Sequence, residues 1–354
     1  MSKIHNFSAG PSILAESAFE KSIADIKNFA GTGLSILEIS HRSKQFEAVM
    51  EETRQLVKKL LGLPDNYDIL FLGGGASTQF FQIPQNFLCT SAAYTKTGTW
   101  ASNAIKEAKA YGEVLVVGNS EDKNYSYIPK GYEIPENADY FHCTSNNTIF
   151  GTQMKAFPES PIPVFCDMSS DIFSREIEAS KFDIIYAGAQ KNMGPAGVTL
   201  VIVNKDIYSR RSDRHIPTML DYKNHGEKES MYNTPPVFPI LVSKYNLEWV
   251  AENGGCAGME ARNNEKAQCL YNAVDRSKYF IGTTAVEDRS NMNACFVFQQ
   301  ADPVLEAKFE AACKEAGISG ITGHRSVGGY RASMYNALPL ESVQALVNVM
   351  ESFV

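Results

Sequence analysis

Apolar residues recur at helical spacing in the first part of the chain. One set predicts a helix between residues 13 and 26: Ile13, Leu14, Ala18, Phe19, Ile23 and Ile26. A clearer set predicts a helix from about Phe46 to Leu61, with one apolar face: Phe46, Val49, Met50, Thr53, Leu56, Val57 and Leu60. Gly62 is suited to the C-terminal cap of this second helix, and Pro64 prevents its continuation.

Short apolar runs then alternate with helical patterns. They predict buried strands at residues 69–72, 114–117, 140–143, 164–166, 184–186 and 198–203. Several runs are apolar on both faces, which is typical of a parallel sheet covered by helices. Residues 101–111 predict a helix between two of these strands. The alternation predicts an α/β fold whose large domain, residues 12–250, contains a mainly parallel sheet.

The pattern changes from about residue 239. A long helical stretch with Gly254 and Gly255 inside it extends to Arg276. A predicted strand (294–298), helix (303–316), strand (330–335) and final helix (340–353) follow. This order predicts a smaller C-terminal α/β domain, residues 251–354.

Length and composition narrow the class of protein. The chain has 354 residues, of which 44% are hydrophobic, and a formal net charge of -7. This length accommodates one large and one smaller domain, and the apolar fraction excludes wholesale disorder. Because no basic excess is present to pair with phosphates along a polymer, we expect no nucleic-acid partner. Small anionic substrates need only a local group of cations and remain compatible with this charge.

The sequence indicates a cytoplasmic protein without a membrane partner. No run approaches the roughly 20 apolar residues that span a bilayer, and residues 1–11 lack the apolar core of a signal peptide. The seven cysteines form no C-x-x-C pair, and their number is odd. We interpret them as reduced residues, mostly of the core, and expect neither disulfides nor a metal site.

A glycine-rich turn, residues 73–78 (Gly-Gly-Gly-Ala-Ser-Thr), follows the first predicted strand. Such a turn lets backbone N–H groups at a helix N-terminus approach an anion, and the hydroxyls of Ser77 and Thr78 can add hydrogen bonds. The turn lacks the lysine of a Walker A loop, and Thr78 stands where the dinucleotide fingerprint has its third glycine. A tight turn with a capping serine explains the same pattern.

An aspartate and a lysine each come at the end of a predicted strand. Asp167 follows the run 164–166, and Lys191 comes shortly after the run 184–186. Because the carboxyl ends of parallel strands meet at the ligand crevice, we expect the two side chains to be close. A lysine that forms a Schiff base and a carboxylate that keeps a pyridine nitrogen protonated suit pyridoxal phosphate. A strand-end aspartate in a turn and a surface lysine remain the alternative.

Two His-Arg dipeptides lie far apart in the sequence. They are His41-Arg42 and His324-Arg325, and Arg331 follows the second closely. Arginine side chains match the oxygens of phosphates and carboxylates, so these segments indicate a substrate with more than one anionic group. Each arginine alone could equally form a surface salt bridge.

Taken together, these segments resemble the phosphoserine aminotransferase family, a branch of the class V aminotransferases with the fold type I architecture of pyridoxal-phosphate-dependent transferases. The similarity extends over the whole chain. Besides the glycine-rich turn, it rests on NFSAGP (6–11), EISHRS (38–43), GTW (98–100), NTIxG (147–151), DMSS (167–170), YAGAQKN (186–192), YNTPP (232–236) and GHRSVGGYRAS (323–333). The resemblance implies that residues 1–11 pack near the active site.

The resemblance also implies the roles of residues around the cofactor, pyridoxal 5'-phosphate. Lys191 would bind it covalently and move a proton between cofactor and substrate, while Asp167 would pair with the pyridinium nitrogen. Trp100 would stack on the ring, and Thr148 would bind the ring hydroxyl. The remaining positions would bind the phosphate: Ala76, Ser77 and Gln190, together with Asn233 and Thr234 of the neighbouring subunit.

For the substrate, the resemblance implies that Arg331 binds the α-carboxylate. The substrate phosphate would be bound by His41, Arg42, His324 and Arg325, and Ser8 would lie at the same site. In the family the first His-Arg pair comes across the dimer interface. We therefore expect a homodimer with shared active sites and small-molecule substrates.

The implied reaction is amino transfer between L-glutamate and 3-phosphohydroxypyruvate, which gives O-phospho-L-serine and 2-oxoglutarate in serine biosynthesis. Bacterial members of the family also serve pyridoxine biosynthesis. Another class V aminotransferase, such as an alanine–glyoxylate type, would have no use for so many cations. A cysteine desulfurase would need a cysteine in a polar loop. A non-catalytic phosphate-metabolite binding protein of the same fold would not need Lys191.

Overall fold

Helices and strands alternate along most of the chain in the computed structural model, which describes residues 4–352. The helices are α1 (Glu16–Asn28), α2 (Lys44–Leu61), α3 (Ala76–Phe87), α4 (Thr99–Ala108), α5 (Tyr222–Glu227), α6 (Val237–Glu252), α7 (Gly255–Arg276), α8 (Pro303–Glu315) and α9 (Leu340–Ser352). The strands are β1 (His5–Asn6), β2 (Tyr67–Leu72), β3 (Ser91–Lys96), β4 (Glu113–Asn119), β5 (Phe141–Thr144), β6 (Asn146–Asn147), β7 (Thr152–Gln153), β8 (Val164–Asp167), β9 (Ile184–Gly188), β10 (Thr199–Asn204), β11 (Phe280–Gly282), β12 (Asn293–Phe298), β13 (Ile318–Ser319) and β14 (Tyr330–Ser333).

The largest sheet has seven strands in the order β2-β10-β9-β8-β5-β3-β4. Strand β10 is antiparallel to both of its neighbours, and the other neighbouring pairs are parallel. The predicted mainly parallel sheet is confirmed. Strands β2, β5, β8 and β9 consequently end at the same edge of the sheet, where the loops after parallel strands form ligand crevices.

Helices cover both faces of this sheet. One face packs against α2 and α6, with a core that includes Phe46, Phe71, Cys166, Leu200 and Leu241. The opposite face packs against α3 and α4, with a core that includes Phe80, Ile105, Phe165 and Val201. Adjacent residues of one strand thus enter different cores, which explains why these strands are apolar on both faces.

A second, antiparallel sheet lies in the C-terminal part of the chain, in the order β11-β12-β14. Its core includes Leu270 of α7, Phe309 of α8 and Leu346 of α9. Phe7, near the start of the chain, is buried in the same core, and β1 pairs in parallel with β13. The N-terminal segment therefore packs against the C-terminal sheet.

Strand β3 was missed by the sequence reasoning. Its residues, Ser-Ala-Ala-Tyr-Thr-Lys, contain no run of large apolar side chains. The strand lies between β5 and β4, where Ala92 and Ala93 are fully buried. Small residues fit this interior position because tightly packed helices cover the sheet, and hydropathy alone does not reveal such a strand.

The predicted apolar face of the first helix is not a core face within one chain. Helix α1 begins at Glu16, after Ile13 and Leu14, and its buried residues are Ala18 and Ser22. Phe19 and Ile23 are 51% and 54% exposed, and Ile26 is also exposed. The spacing predicted the helix correctly, but its apolar side faces outward.

The long helical stretch of the C-terminal half is two helices. Gly254 adopts a left-handed conformation (φ 90) between α6 and α7, which a residue with a side chain rarely adopts. The chain turns there, so that α7 can pack on the C-terminal sheet. The final helix is described as far as Ser352. Phe353, which the predicted helix 340–353 included, lies outside the described residues. So do residues 1–3 of the predicted segment 1–11 and residue 354 of the predicted segment 251–354.

All seven cysteines are free thiols, and Cys89 is the exposed one among them. Within residues 4–352, no helix combines the length and apolar character needed to cross a membrane.

Candidate active site

The loops at one edge of the large sheet bring Lys191, Asp167 and Thr148 together. Asp167 is the last residue of β8, and Lys191 comes three residues after the end of the adjacent parallel strand β9. Thr148 lies in the turn between β6 and β7. The predicted proximity follows from the strand topology, because both strands end at this edge.

Lys191 is held below an aromatic ring. Its Nζ donates a hydrogen bond to Thr148 Oγ1 at 2.8 Å and lies 5.8 Å from the centroid of the Trp100 ring. Trp100 is in the first turn of α4. Burial lowers the pKa of Lys191 to about 8; the charge of Arg331 acts in the same direction, whereas Asp167 opposes the shift. About a tenth of this amine is consequently neutral at pH 7, far more than for an exposed lysine.

Asp167 is a buried carboxylate, with 5% of its surface exposed. It accepts a hydrogen bond from the backbone N–H of Ser169 at 2.9 Å. Burial raises the pKa of Asp167, while the charge of Lys191 opposes that increase. The carboxylate is therefore suited to hold a protonated ring nitrogen, which would stabilise its charge.

Two residues behind Asp167 were not identified from the sequence. Ser145 Oγ lies 3.0 Å from the backbone oxygen of Asp167 and also contacts the carboxylate of Asp171. Asp171 is buried and contacts Arg175 and Gln153 as well. The only sequence feature that could have identified Asp171 is its position four residues after Asp167. An aspartate at such a position is equally typical of an exposed surface residue.

The glycine-rich turn leads into α3 with an open N-terminus. Gly74 and Gly75 have positive φ angles of 92 and 74, and no side chain caps the helix at Gly75. Its first turn contains Ala76 and Ser77, whose backbone N–H groups an anion can bind. Thr78 differs from the expectation: its hydroxyl donates to the carbonyl of Gly74 at 2.7 Å, so it is not available for an anion.

Arg331, on β14, faces the same region from the C-terminal sheet. Its NH1 donates to the backbone oxygen of Thr148 at 3.3 Å. Its Nε and the Nε1 of Trp100 are buried donors without a hydrogen-bond partner among the described residues. Unpaired buried donors are costly, so a ligand oxygen at this position would satisfy them.

The second His-Arg pair lies near Arg331, in the loop between β13 and β14. His324 is half-buried, whereas Arg325 is exposed. Burial lowers the pKa of His324, and the charges of Arg331 and Arg325 lower it further. Arg331 and Arg325 therefore supply two positive charges beside the Lys191 site, and His324 adds a neutral donor.

The other predicted site residues make no side-chain hydrogen bond or ion pair with Arg331, His324 or Lys191 among the described residues. His41 and Arg42 lie in the loop before α2, where Arg42 Nε donates to His41 Nε2 at 3.3 Å. Asn233 and Thr234 are exposed, and neither side chain has a hydrogen bond to another described residue. Gln190 is half-buried next to Lys191. Ser8 is packed against Gly320 of the C-terminal part and has no contact with Lys191 among the described hydrogen bonds.

The class-V aminotransferase family model matches residues 4–346. The chain belongs to the class-V aminotransferase family. It is 60% identical over 352 residues to the phosphoserine aminotransferase of Flavobacterium psychrophilum, covering 99% of this chain and 98% of that protein.

Solved structures of other class-V aminotransferases share the fold. The phosphoserine aminotransferase of Bacillus circulans subsp. alkalophilus has a TM-score of 0.96 at 45% identity, covering 100% of this chain and 99% of that one. A phosphoserine aminotransferase from Trichomonas vaginalis with bound PLP has a TM-score of 0.94 at 37% identity, covering 99% and 100%. These likenesses confirm the predicted fold class, fold type I of the pyridoxal-phosphate-dependent transferases.

The residues present in this aminotransferase fit pyridoxal phosphate. The buried amine of Lys191 matches an aldehyde, and the buried carboxylate of Asp167 matches a basic ring nitrogen. Trp100 supplies a flat aromatic surface, and the uncapped N-terminus of α3 suits a phosphate. Among the described residues, no group of three or more His, Cys, Asp or Glu side chains could hold a metal ion.

The lowered pKa of Lys191 predicts how its amine reacts in the cofactor-free protein. We expect acylation of Lys191 to reach half its limiting rate near pH 8, well below the roughly 10.4 of an exposed lysine. Asp167→Asn removes a charge that raises this pKa, so the midpoint should fall; Arg331→Gln removes one that lowers it, so the midpoint should rise. Peptide mass spectrometry of the label on Lys191 at a series of pH values measures the midpoint in the unaltered protein and in both variants. A midpoint unchanged by both substitutions would contradict this electrostatic account.

Proposed function

We propose that this aminotransferase transfers the amino group of L-glutamate to 3-phosphohydroxypyruvate and yields O-phospho-L-serine and 2-oxoglutarate, reversibly, in cytoplasmic serine biosynthesis. The observation that supports this best is the pair of arginines, Arg331 and Arg325, that lies with His324 beside Lys191. A single carboxylate would need one arginine, whereas phosphoserine has a carboxylate and a phosphate. The name of the 60% identical relative supports the same reaction.

Pyridoxal phosphate, when bound, would supply an electron-accepting ring and an aldehyde carbon that carries the amino group between the two half-reactions. Lys191 holds it and moves a proton at Nζ, which a pKa of about 8 makes possible near neutral pH. Thr148 orients Nζ through the 2.8 Å hydrogen bond. Asp167 keeps the ring nitrogen protonated, and Trp100 excludes water from one face.

The substrate is bound by cations from the C-terminal sheet. Arg331 holds the α-carboxylate through Nε and its terminal nitrogens, which satisfies the buried Nε. His324 and Arg325 bind the phosphate of phosphoserine or the side-chain carboxylate of glutamate. One cationic site therefore accepts both substrates, as a two-step transfer with a single cofactor requires.

A second copy of the chain completes the site in this proposal. The exposed apolar residues Phe19, Ile23, Leu34 and Leu37 precede His41 and Arg42, and a dimer would cover them. The loop that precedes His41 is joined to α1, because the backbone N–H of Ile36 donates a hydrogen bond to the backbone oxygen of Asp25.

Asn233 and Thr234 lie beside a second exposed surface. They line a cavity of about 430 Å³ together with Met219, Pro235 and Pro236. Burial of this surface by a partner would bring both polar side chains to the partner's cofactor phosphate. The sites would then be complete only in a homodimer.

Hybrid dimers test this sharing. A subunit with Lys191→Ala and a subunit with Asn233→Ala plus Thr234→Ala should each be weak alone as homodimers. Mixed dimers contain one site with both intact contributions, so we expect activity to return to as much as half the wild-type value per hybrid. Differently tagged subunits allow the hybrids to be isolated before assay. Isolated hybrids without regained activity would disprove cross-subunit sites.

A comparison of amino donors tests the reaction. With 2-oxoglutarate as acceptor, phosphoserine should be far superior to serine, because only phosphoserine uses both cationic regions. An alanine–glyoxylate aminotransferase would instead prefer alanine with glyoxylate. Turnover with neither pair would favour a binding protein without catalysis.

A further inference from the structure

The N-terminal segment, residues 5–12, connects the C-terminal sheet to the backbone of Lys191. At its start, the N–H of Phe7 donates to the oxygen of Ser319 at 2.8 Å, and the N–H of Ser333 donates to the oxygen of Phe7 at 3.3 Å. Phe7 is fully buried. This end of the segment is therefore part of the C-terminal core.

The other end of the segment is bound to the Lys191 backbone. The N–H of Ser12 donates to the oxygen of Gln190 at 2.9 Å, and its hydroxyl donates to the oxygen of Lys191. The backbone of Gly10 also approaches the Lys191 side chain, since a Cβ at Gly10 would lie 3.4 Å from Lys191 Cγ. Ser12 thus binds the backbone carbonyls of two successive residues, Gln190 and Lys191, the second of which carries the reactive amine.

Tyr335 fixes the middle of the segment. Its hydroxyl donates to the oxygen of Ala9 at 2.8 Å, and the side chain is almost completely buried. Its own backbone oxygen accepts a hydrogen bond from Lys266 Nζ at 2.7 Å, and Lys266 also binds the oxygen of Met334 at 2.9 Å. Tyr335 is therefore held rigidly, two residues beyond the end of β14.

We propose that Ser12 and Tyr335 are positioning residues that hold the backbone of Lys191 at a fixed place relative to β14, the strand of Arg331. The inference rests on the proposed function, in which Lys191 moves the proton and Arg331 binds the α-carboxylate. Neither positioning residue needs to touch the substrate. Both act through the N-terminal segment.

A fixed backbone matters because the lysine stem is long and flexible. Thr148 accepts a hydrogen bond from Lys191 Nζ at its hydroxyl and one from Arg331 NH1 at its backbone carbonyl. The distance between the proton-moving amine and the bound carboxylate therefore depends on how the two backbones are set. Loss of alignment slows a positioned proton transfer even where binding is preserved.

The predicted signature is a fall in kcat with little change in KM. In the assembled holoenzyme, Ser12→Ala removes the hydrogen bond to the oxygen of Lys191. Tyr335→Phe removes the bond to the oxygen of Ala9 and a longer one, of 3.4 Å, accepted from Asn293 Nδ2. We expect kcat to fall by about 2- to 12-fold in each variant. The double variant should lose little more than the larger single loss, because both residues act through one segment. Ser12→Thr keeps the hydroxyl and should restore kcat.

Matched controls remove the same groups elsewhere. Ser22 donates its buried hydroxyl to the oxygen of Ala18, and Tyr67 donates its hydroxyl to the oxygen of Phe182. Tyr67→Phe should lower the unfolding temperature, Ser22→Ala should change it little because alanine is the better helix former, and neither should change kcat. If the two site variants changed only the unfolding temperature and left kcat as it is in the controls, the positioning role would be disproved.

A second measurement needs no turnover. In the cofactor-free protein, loosening of the Lys191 backbone exposes its amine to water, so the midpoint pH for acylation of Lys191 should rise in both site variants and stay constant in the controls. Unchanged midpoints together with unchanged kcat would overturn the inference. Borohydride fixation of the cofactor distinguishes failure of the proposed function from failure of the positioning role. A label on another lysine would refute the proposed function. A label on Lys191 together with a normal kcat in Ser12→Ala would refute only the positioning role.

Discussion

Lys191→Ala is expected to reduce kcat by at least about 1,000-fold. The substitution removes both the proposed covalent anchor of the cofactor and the group proposed to move the proton. Positioned acid–base groups alone contribute about 100- to 10,000-fold. No neighbouring residue can replace it, since Thr148 Oγ1 and Asp167 have no amine to offer. Steady-state kinetics with saturating cofactor measures the loss.

The chain offers matched control lysines for this experiment. Lys155 has its pKa lowered by burial to about 8, as Lys191 has, and Lys266 has its pKa lowered to about 7. Lys155 contacts Gln153 and Asn291, away from Trp100. Lys155→Ala should therefore retain turnover, and borohydride should fix the cofactor to Lys191 alone. A label on Lys155 or Lys266 would show that lowered pKa, and not the position between Asp167 and Trp100, selects the anchor.

The positions of Asp167 and Lys191 were predictable because they depend on strand topology. An apolar run that ends in a polar residue locates a strand end, and adjacent parallel strands bring their ends to one edge. β8 ends at Asp167, and β9 ends three residues before Lys191. No knowledge of side-chain packing was needed for this expectation.

The hydrogen bonds that complete the site were not predictable in the same way. Ser12 and Lys191 are far apart in the sequence, and a serine next to Pro11 shows no pattern of its own. At Thr78 the sequence predicted a contact that the structure lacks. Its hydroxyl donates to the backbone oxygen of Gly74 and is therefore not available to a phosphate. Periodicity describes which face of an element is apolar, whereas such contacts depend on the tertiary arrangement.

The outward apolar face of α1 shows a third limit. Periodicity identified Phe19, Ile23 and Ile26 as one face but could not tell a core from a surface covered by a second chain. The same exposed region precedes His41 and Arg42, whose side chains contact each other and make no hydrogen bond with the Lys191 site among the described residues. A helix face that is apolar in sequence but exposed within one chain is thus an argument that the chain associates with a second copy.

Removal of Arg42 or Arg325 is expected to harm the reaction of phosphoserine more than that of glutamate. A phosphate monoester has about -1.5 to -2 charges near neutral pH and three acceptor oxygens, whereas the glutamate side chain has one charge and two oxygens. Glutamate cannot use every cation of the group. A hydrogen bond to a charged partner is worth about 1.5–3 kcal/mol, or about 10- to 150-fold in rate.

Arg331 is the internal control for this difference. It should bind the α-carboxylate that both substrates share, so Arg331→Ala should lower kcat/KM for both half-reactions to a similar extent. His324 adds no strong pH dependence of its own, because burial and two neighbouring arginines lower its pKa and leave it a neutral donor near neutral pH.

Single-turnover measurements of each half-reaction in Arg42→Ala, Arg325→Ala and Arg331→Ala decide the matter. Equal losses for phosphoserine and glutamate in the first two variants would remove those arginines from the phosphate site. A selective loss in Arg325→Ala alone would place the phosphate on the C-terminal loop and contradict the contribution of Arg42 from the partner subunit. Selective losses in both, with a uniform loss in Arg331→Ala, would support two chains around one substrate, because Arg42 makes no hydrogen bond or ion pair with Arg331 among the described residues.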